Sequence, residues 1–127
     1  MRLQATSTAT INQMIIAVET FMNTIPDDGS VKNLPVVDRH MTTALDAARS
    51  IVSMGDATED AINDVIEKCN LASTVTIKQF GESTNGTIAA IGSLLVADYA
   101  SIVMMLKIEL GRPDRALEKL VHRGLDS

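Results

Sequence analysis

The feature that most constrains this chain is an apolar segment from Ile88 to Leu110, which predicts one long helix with little polar surface. At about 1.5 Å per residue, such a helix is roughly 35–40 Å long. A helix that is apolar on nearly every side is either the central helix of a core or a membrane span. Asp98 in its middle, with Lys107 and Glu109 near its end, disfavours a span because charges are costly in lipid. We therefore expect a helix over Thr84–Leu110 at the centre of a helical bundle.

The spacing of apolar residues predicts further helices around this one. Apolar side chains recur at steps of three and four over Thr8–Ile25 and over Val36–Met54, so each segment presents one apolar stripe. A third helix is expected to begin at Asp56, since Glu59 follows it at the spacing of a capping box. A short helix is expected over Pro113–Arg123. The sequence therefore predicts an all-α, single-domain bundle of four main helices plus a short C-terminal helix.

The expected domain organisation is simple, with one segment left open. Residues 1–7, which are rich in Ser and Thr, are predicted to be a flexible N-terminus, and residues 8–127 to form one helical bundle domain. Residues 73–80 are rich in β-branched side chains and alternate between apolar and polar. Two interpretations therefore stand: residues 73–80 continue the third helix or are irregular, or they form a strand that pairs with Val31–Val37.

Composition and the lone cysteine exclude several classes of protein. The chain has 127 residues, a formal charge of −5 and 46% hydrophobic residues, which is too apolar for disorder and too acidic for a general nucleic-acid binder. Cys69 has no second cysteine to pair with, which excludes a disulfide scaffold and fits a reducing compartment. No apolar signal-peptide core precedes Met14. We therefore expect a cytoplasmic protein, with secretion by a route without a signal peptide left open.

The long apolar helix also carries a stripe of small side chains. Residues at every fourth position are Ala or Ser, which lets another helix backbone approach closely. Two methionines follow, and methionine lines adaptable contact surfaces. The candidate interface residues on this helix are Ala89, Ser93, Ala97, Ser101, Met104 and Met105. Two interpretations stand: a core helix within one chain, or a helix that is partly core and partly a self-association surface.

Basic residues on the C-terminal helix form a second candidate surface. They recur at steps of three and four, which places them in one stripe. These candidate interface residues are Arg112, Arg115, Lys119 and Arg123. Such a stripe on an acidic protein binds an acidic partner or an anionic surface. The alternative is a solvated face that complements the helix dipole.

Acidic residues on the third helix form a third candidate surface. The candidate interface residues there are Asp60, Asp64 and Glu67. Their spacing overlaps that of a calcium-binding EF-hand loop, but Ala61 stands where that loop needs glycine, and the apolar period predicts a helix. We expect the acidic helix to meet the basic C-terminal helix, within one chain or between chains, where charge sets register more than affinity.

Enzyme signatures are missing from the sequence. It contains no Walker loop, no G-x-G-x-x-G and no G-x-S-x-G motif. His40 and His122 are the only histidines, too few for a histidine-based metal cluster. We therefore predict no catalytic residue, no metal and no cofactor.

The expected function is non-enzymatic protein–protein interaction. A self-assembling helical subunit, an adaptor or an inhibitor would use the apolar helix for oligomer packing and the charged helices to set the partner's register. The expected partner is another protein or a second copy of the chain, with no nucleic acid and no membrane contact. The alternative is a small helical enzyme or ligand-binding bundle, with the carboxylates of the third helix and Asp98 in its core.

Overall fold

The computed structural model describes residues 1–115, 117, 120 and 121. Its four long helices are α1 (Ala5–Met22), α2 (Leu34–Ser53), α3 (Glu59–Gly81) and α4 (Gly86–Leu110). The described residues after position 112 belong to a short C-terminal helix. The predicted all-α bundle of four main helices plus a short C-terminal helix is confirmed.

The four long helices pack as a ring in which each helix contacts two neighbours. α1 packs against α2, α2 against α3, α3 against α4, and α4 against α1. Residues 23–33, 54–58 and 82–85 connect the consecutive helices, as in an up-and-down bundle. The buried apolar side chains of all four helices form one cluster in the middle of the ring. Each helix therefore has an inward face in the core, and α4 lies diagonally across from α2.

The N-terminal residues pack against the bundle. α1 begins at Ala5 rather than at Thr8, and Leu3 before it is buried. The backbone N–H of Gln4 donates a hydrogen bond to the side chain of Glu109 at the end of α4. The predicted flexible N-terminus is thus in contact with the core, and its motion stays a prediction.

The start of α2 differs from the expectation. α2 begins at Leu34 rather than at Val36, and Asn33 before it has a φ of 54°, a left-handed conformation that asparagine tolerates better than most residues. Pro35 lies in the first turn of the helix. Backbone N–H groups in the first turn have no acceptor within the helix, so proline loses no hydrogen bond there. Proline is therefore compatible with the start of a helix, although it disfavours a helix interior.

The start of α3 is set by a different cap from the one predicted. The helix begins at Glu59, and the hydroxyl of Thr58 accepts a hydrogen bond from the backbone N–H of Ala61 at 3.2 Å. Asp56 therefore does not cap α3. A threonine at this position satisfies one of the donors that the first turn leaves without a partner.

Residues 73–80 are helical and belong to α3, so the strand interpretation is wrong. Ala72, Thr76 and Phe80 are buried at steps of four, and the Thr76 hydroxyl donates to the Ala72 carbonyl at 2.7 Å. Burial at helical spacing outweighs the modest strand preference of the β-branched residues.

α4 begins at Gly86, where the side-chain oxygen of Asn85 accepts a hydrogen bond from the backbone N–H of Thr87 at 2.9 Å. Near this end, Gly92 lies against Phe80 of α3. A Cβ atom at position 92 would be 2.5 Å from the Phe80 Cβ, closer than two carbon atoms can approach. Glycine therefore lets α3 and α4 pack closely at this level.

Candidate interaction surface

The side of α4 that points away from the ring is exposed and almost free of charge. We call its exposed uncharged side chains between positions 90 and 108 the outward face: Ala90, Ser93, Leu94, Ala97, Ala100, Met104 and Ile108. Lys107 is exposed in the same range and is the one charged side chain there. Leu94, Met104 and Ile108 keep 46%, 58% and 50% of their surface exposed. The expected enclosure of α4 on nearly all sides is therefore not found, because only α1 and α3 border it among the four long helices.

The two serines of the small-residue stripe present little polarity to the surroundings. The hydroxyl of Ser93 donates to the carbonyl of Ala89 at 3.2 Å, and that of Ser101 donates to the carbonyl of Ala97 at 3.0 Å. Both donors are satisfied within α4, so a partner that covers them leaves no hydrogen-bond donor without an acceptor. The stripe therefore behaves as a small, mainly apolar surface.

The structure divides the predicted interface residues of α4 into two groups. Ser93, Ala97 and Met104 lie on the outward face, whereas Ala89, Ser101 and Met105 are half-buried. Met105 also packs against the core cluster. The stripe therefore runs obliquely across the exposed side of α4, with its two ends turned toward the neighbouring helices.

A groove between α3 and α4 adjoins the outward face and has a volume of about 630 Å³. Met104 and Ile108 of the outward face line it, together with Asn70 and Ser73 of α3. Ile77 lies one turn beyond Ser73 on the same side of α3 and is exposed. The apolar surface of α4 thus continues onto α3.

Two other surface grooves have several charged residues in their linings. One of about 400 Å³ lies between α2 and α3, where Asp46, Asp64 and Lys68 line it beside apolar side chains. Another of about 400 Å³ lies between the loops before α2 and α4, where Lys32 and Glu82 line it. The groove beside α4 has one charged residue in its lining, Lys107, and is the more apolar of the three.

Asp98 lies at the edge of the outward face. The side chain is half-buried, and its Oδ2 atom is buried without a hydrogen-bond partner among the described residues. Loss of hydration raises the pKa of this carboxyl group above its ordinary value. Tyr99 is fully buried, and burial raises the pKa of its phenol.

The basic residues of the C-terminal region bind within the chain. The Arg112 guanidinium donates to the fully buried carboxylate of Glu109 at 2.8 Å. Arg115 donates to the carbonyl of Ala57 at 2.6 Å and to that of Met1 at 2.9 Å. These two arginines therefore hold the N-terminal segment and the start of α3 against the end of α4, and they are not available as a free basic stripe. Lys119 and Arg123 lie outside the described residues.

The acidic residues of α3 remain on its surface. Asp60 and Glu67 are exposed, and Asp64 forms an ion pair with Lys68 of the same helix at 2.8 Å. Arg115 of the C-terminal helix reaches the backbone carbonyl of Ala57 just before α3, and the expected meeting of the acidic and basic helices stays a prediction. No group of three or more His, Cys, Asp or Glu residues with metal-binding geometry occurs in the described part of the chain.

Cys69 is a core residue rather than a reactive thiol. Its side chain is fully buried, and burial raises the pKa of the thiol to about 12. Only the thiolate is a strong nucleophile, and it is scarce at neutral pH when the pKa is this high.

No protein-family model, curated protein or solved structure matches this chain. By length and composition, α4 is the one helix of the described residues that is long and apolar enough to cross a membrane. Its most apolar stretch is 33% buried inside the bundle, and core helices of soluble proteins meet the same criteria.

Proposed function

We propose that this chain is a non-enzymatic interaction protein that self-assembles through the outward face of α4. The observation that carries the proposal is the length of mainly apolar surface between Ala90 and Ile108, in which Lys107 is the one exposed charge. It extends for roughly 27 Å along the helix. Contiguous apolar patches on soluble proteins are commonly interaction surfaces.

The energetics of the outward face favour a dry protein contact. Leu94, Met104 and Ile108 are each about half exposed. Removing the rest of each side chain from water contributes about 1 kcal/mol. The serines between them have their hydroxyls bonded within the helix, so covering them adds only a small desolvation cost.

Charges have a smaller role in this proposal than the sequence pattern predicts. Arg112 and Arg115 are bound to groups of their own chain, which leaves Lys107 of α4 and the acidic residues of α3 as exposed charges near the outward face. Glu67 and Asp60 are exposed on the helix that adjoins the outward face. Charges at the edge of an apolar contact set orientation more than affinity.

The observations support a protein partner over an enzyme or a ligand-binding bundle. A bundle enzyme needs several carboxylates that converge on one cavity. Asp64 lines a groove between α2 and α3, whereas Asp98 lies on α4, which borders α3 and α1. The described residues thus offer no convergent set of carboxylates to support the alternative.

The proposal is tested by placing a charge on the outward face. Met104→Glu puts a carboxylate in the self-association surface. We expect it to raise the dissociation constant at least about 30-fold, which corresponds to about 2 kcal/mol. Ile16→Glu is the matched control, because Ile16 is 64% exposed on α1 and lies outside the outward face. Light scattering coupled to size exclusion measures the mass of both variants, and circular dichroism checks that each remains helical.

Two outcomes would overturn the proposal. Equal masses for Met104→Glu and Ile16→Glu at every concentration would show that the outward face is not the contact. Flotation of the unmodified protein with vesicles of phosphatidylcholine and phosphatidylglycerol would assign the apolar surface to a membrane. We expect no flotation, since an α4 span would have to withdraw Glu109 and half-buried Asp98 from the bundle.

A further inference from the structure

We propose that the outward face binds a second copy of itself in antiparallel orientation, with a two-fold axis at the level of Ala97. This inference rests on the proposed function and adds the geometry of the contact. It predicts which residues of the two copies lie at the same level, and it follows from the sizes and charges of the exposed side chains.

The sizes of the exposed side chains are complementary about Ala97. In an antiparallel pair centred there, a residue a given number of positions before Ala97 lies at the same level as the residue of the second copy that is the same number of positions after Ala97. Leu94 then lies at the level of Ala100 of the second copy, and Met104 lies at the level of Ala90. Each of these large side chains thus lies at the level of a small one, which leaves room for close packing.

Ile108 and the serines complete the pattern. Ile108 falls at the level of Gly86, and Ser93 falls at the level of Ser101. A parallel pair would instead place Leu94, Met104 and Ile108 each against its own copy and leave gaps where alanines meet. Small residues at and around the centre also let the two backbones approach closely.

Charge favours the same orientation. Lys107 is the one charged residue exposed on α4. In a parallel pair the two lysines share one level, where like charges repel. In the antiparallel pair they are roughly 30 Å apart along the axis. Each lysine then lies toward the partner's loop before α4, where the exposed carboxylate of Glu82 offsets the positive end of the α4 dipole.

The area of the surface sets the expected strength of the dimer. A helix face roughly 27 Å long and about 10 Å wide is smaller than the about 800 Å² per partner that a standard interface buries. The groove on the α3 side and exposed Ile77 extend it. An interface at the lower end of the size range gives a dissociation constant in the micromolar range.

Disulfide cross-linking distinguishes the two orientations. Ser93→Cys and Ser101→Cys are made as separate variants, one of them with an affinity tag, and are oxidised alone and as a mixture. In the antiparallel pair, position 93 lies at the level of position 101, whereas two copies of position 93 are roughly 12 Å apart along the axis. A disulfide needs Cα atoms within about 7 Å. We expect the mixture to cross-link at least several-fold more than either variant alone.

Three controls complete the experiment. Ala97→Cys lies on the proposed axis and should cross-link with itself. Thr42→Cys on the exposed side of α2 should not cross-link. The unmodified chain should not cross-link either, because Cys69 is buried.

The outcomes separate this geometry from the proposed function. A dimer in which Ser93→Cys cross-links with itself better than with Ser101→Cys would overturn the antiparallel arrangement and keep the self-association. An unmodified chain that sediments as a monomer at all concentrations would overturn both. A dimer in which none of the α4 cysteines reacts would place the contact elsewhere and would also overturn both.

Discussion

α2 and α4 occupy opposite corners of the same ring, yet their exposed sides differ in kind. The exposed side of α2 carries four charged residues, Asp38, Arg39, Asp46 and Arg49. The exposed side of α4 carries one, Lys107, over a longer helix. Both helices bury an apolar face in one core. The comparison indicates that core packing alone does not account for the composition of α4, since α2 buries an apolar face in the same core and has a charged outer side.

The largest expected effect separates the inward face of α4 from its outward face. Leu95 is fully buried, whereas its neighbour Leu94 is 46% exposed. Leu95→Ala should lower the free energy of unfolding by about 2–5 kcal/mol, because it leaves a cavity in the core. Leu94→Ala should change it by no more than about 0.5 kcal/mol in the monomer. Urea unfolding at low protein concentration measures both.

Similar losses for the two leucine variants would contradict the assignment of the two faces. The same variants compared at high protein concentration sharpen the comparison. Leu94→Ala should then destabilise the protein more than it does in dilute solution, since the dimer stabilises the folded state by mass action.

The next effect concerns the buried carboxylate at the end of α4. Glu109 is fully buried and accepts hydrogen bonds from Arg112 and from the backbone of Gln4. Glu109→Gln keeps the shape and removes the charge, which should cost about 2–3 kcal/mol because Arg112 loses its buried partner. The midpoint of thermal unfolding measures this. Asp46→Asn on the exposed side of α2 is the control, and an equal loss there would contradict the account.

A smaller effect is expected at the close contact of α3 and α4. Gly92→Ala places a methyl group against Phe80 and should lower the free energy of unfolding by about 1–2 kcal/mol, despite the better helix propensity of alanine. Gly86→Ala is the matched control in the same helix, because a Cβ atom at position 86 meets no other atom within 4 Å, and it should not lower the free energy of unfolding. Equal losses in the two variants, measured by urea unfolding, would show that the contact with Phe80 does not limit the packing.

The smallest expected effect is at Asp98. Burial raises the pKa of this carboxyl group, so the folded state binds its proton more tightly than the unfolded state does. Its contribution is therefore fully present below the ordinary pKa of 3.8 and is lost as pH rises through the higher pKa of the folded state.

Asp98→Asn removes this dependence on pH. We expect the variant to be more stable than the unmodified chain at pH 7 by less than about 1 kcal/mol, since the side chain is partly solvated. The difference should shrink as the pH is lowered toward 3. Melting curves at several pH values measure it, and a difference that grows on acidification would contradict the assigned direction.

α2 shows how much a sequence can predict when a helix is amphipathic. Its apolar stripe includes Val37, Met41, Leu45 and Ile51, and all four are buried. A charged opposite side leaves only one way to turn such a helix toward a core. The fold class and the existence of each main helix follow from segments of this kind.

The inward face of α4 could not be predicted in this way. Apolar residues occur all around the helix, so the sequence pattern does not show which side of α4 packs into the core. It therefore cannot tell that Leu95 is buried and Leu94 is exposed. The outward face was predicted only as a stripe of small residues followed by two methionines, Met104 and Met105. Its extension through Leu94 and Ile108 depends on where α1 and α3 pack.

Residues joined by distant contacts also escaped prediction. Glu109 stands in the sequence as a charge that interrupts an apolar segment. Its burial depends on Gln4, which is brought to it from the other end of the chain, and on Arg112. The spacing of Arg112 and Arg115 placed them in one basic stripe. Spacing within one helix does not show which distant groups of the same chain the two arginines bind.

The central claim is that the outward face of α4 is covered by a second copy of the chain. Sedimentation equilibrium of the unmodified protein from about 1 to about 100 µM tests it most directly, because that range spans the expected dissociation constant. We predict that the average mass rises with concentration from 13.6 kDa toward twice that value. A mass that stays at 13.6 kDa at the highest concentration would contradict the claim.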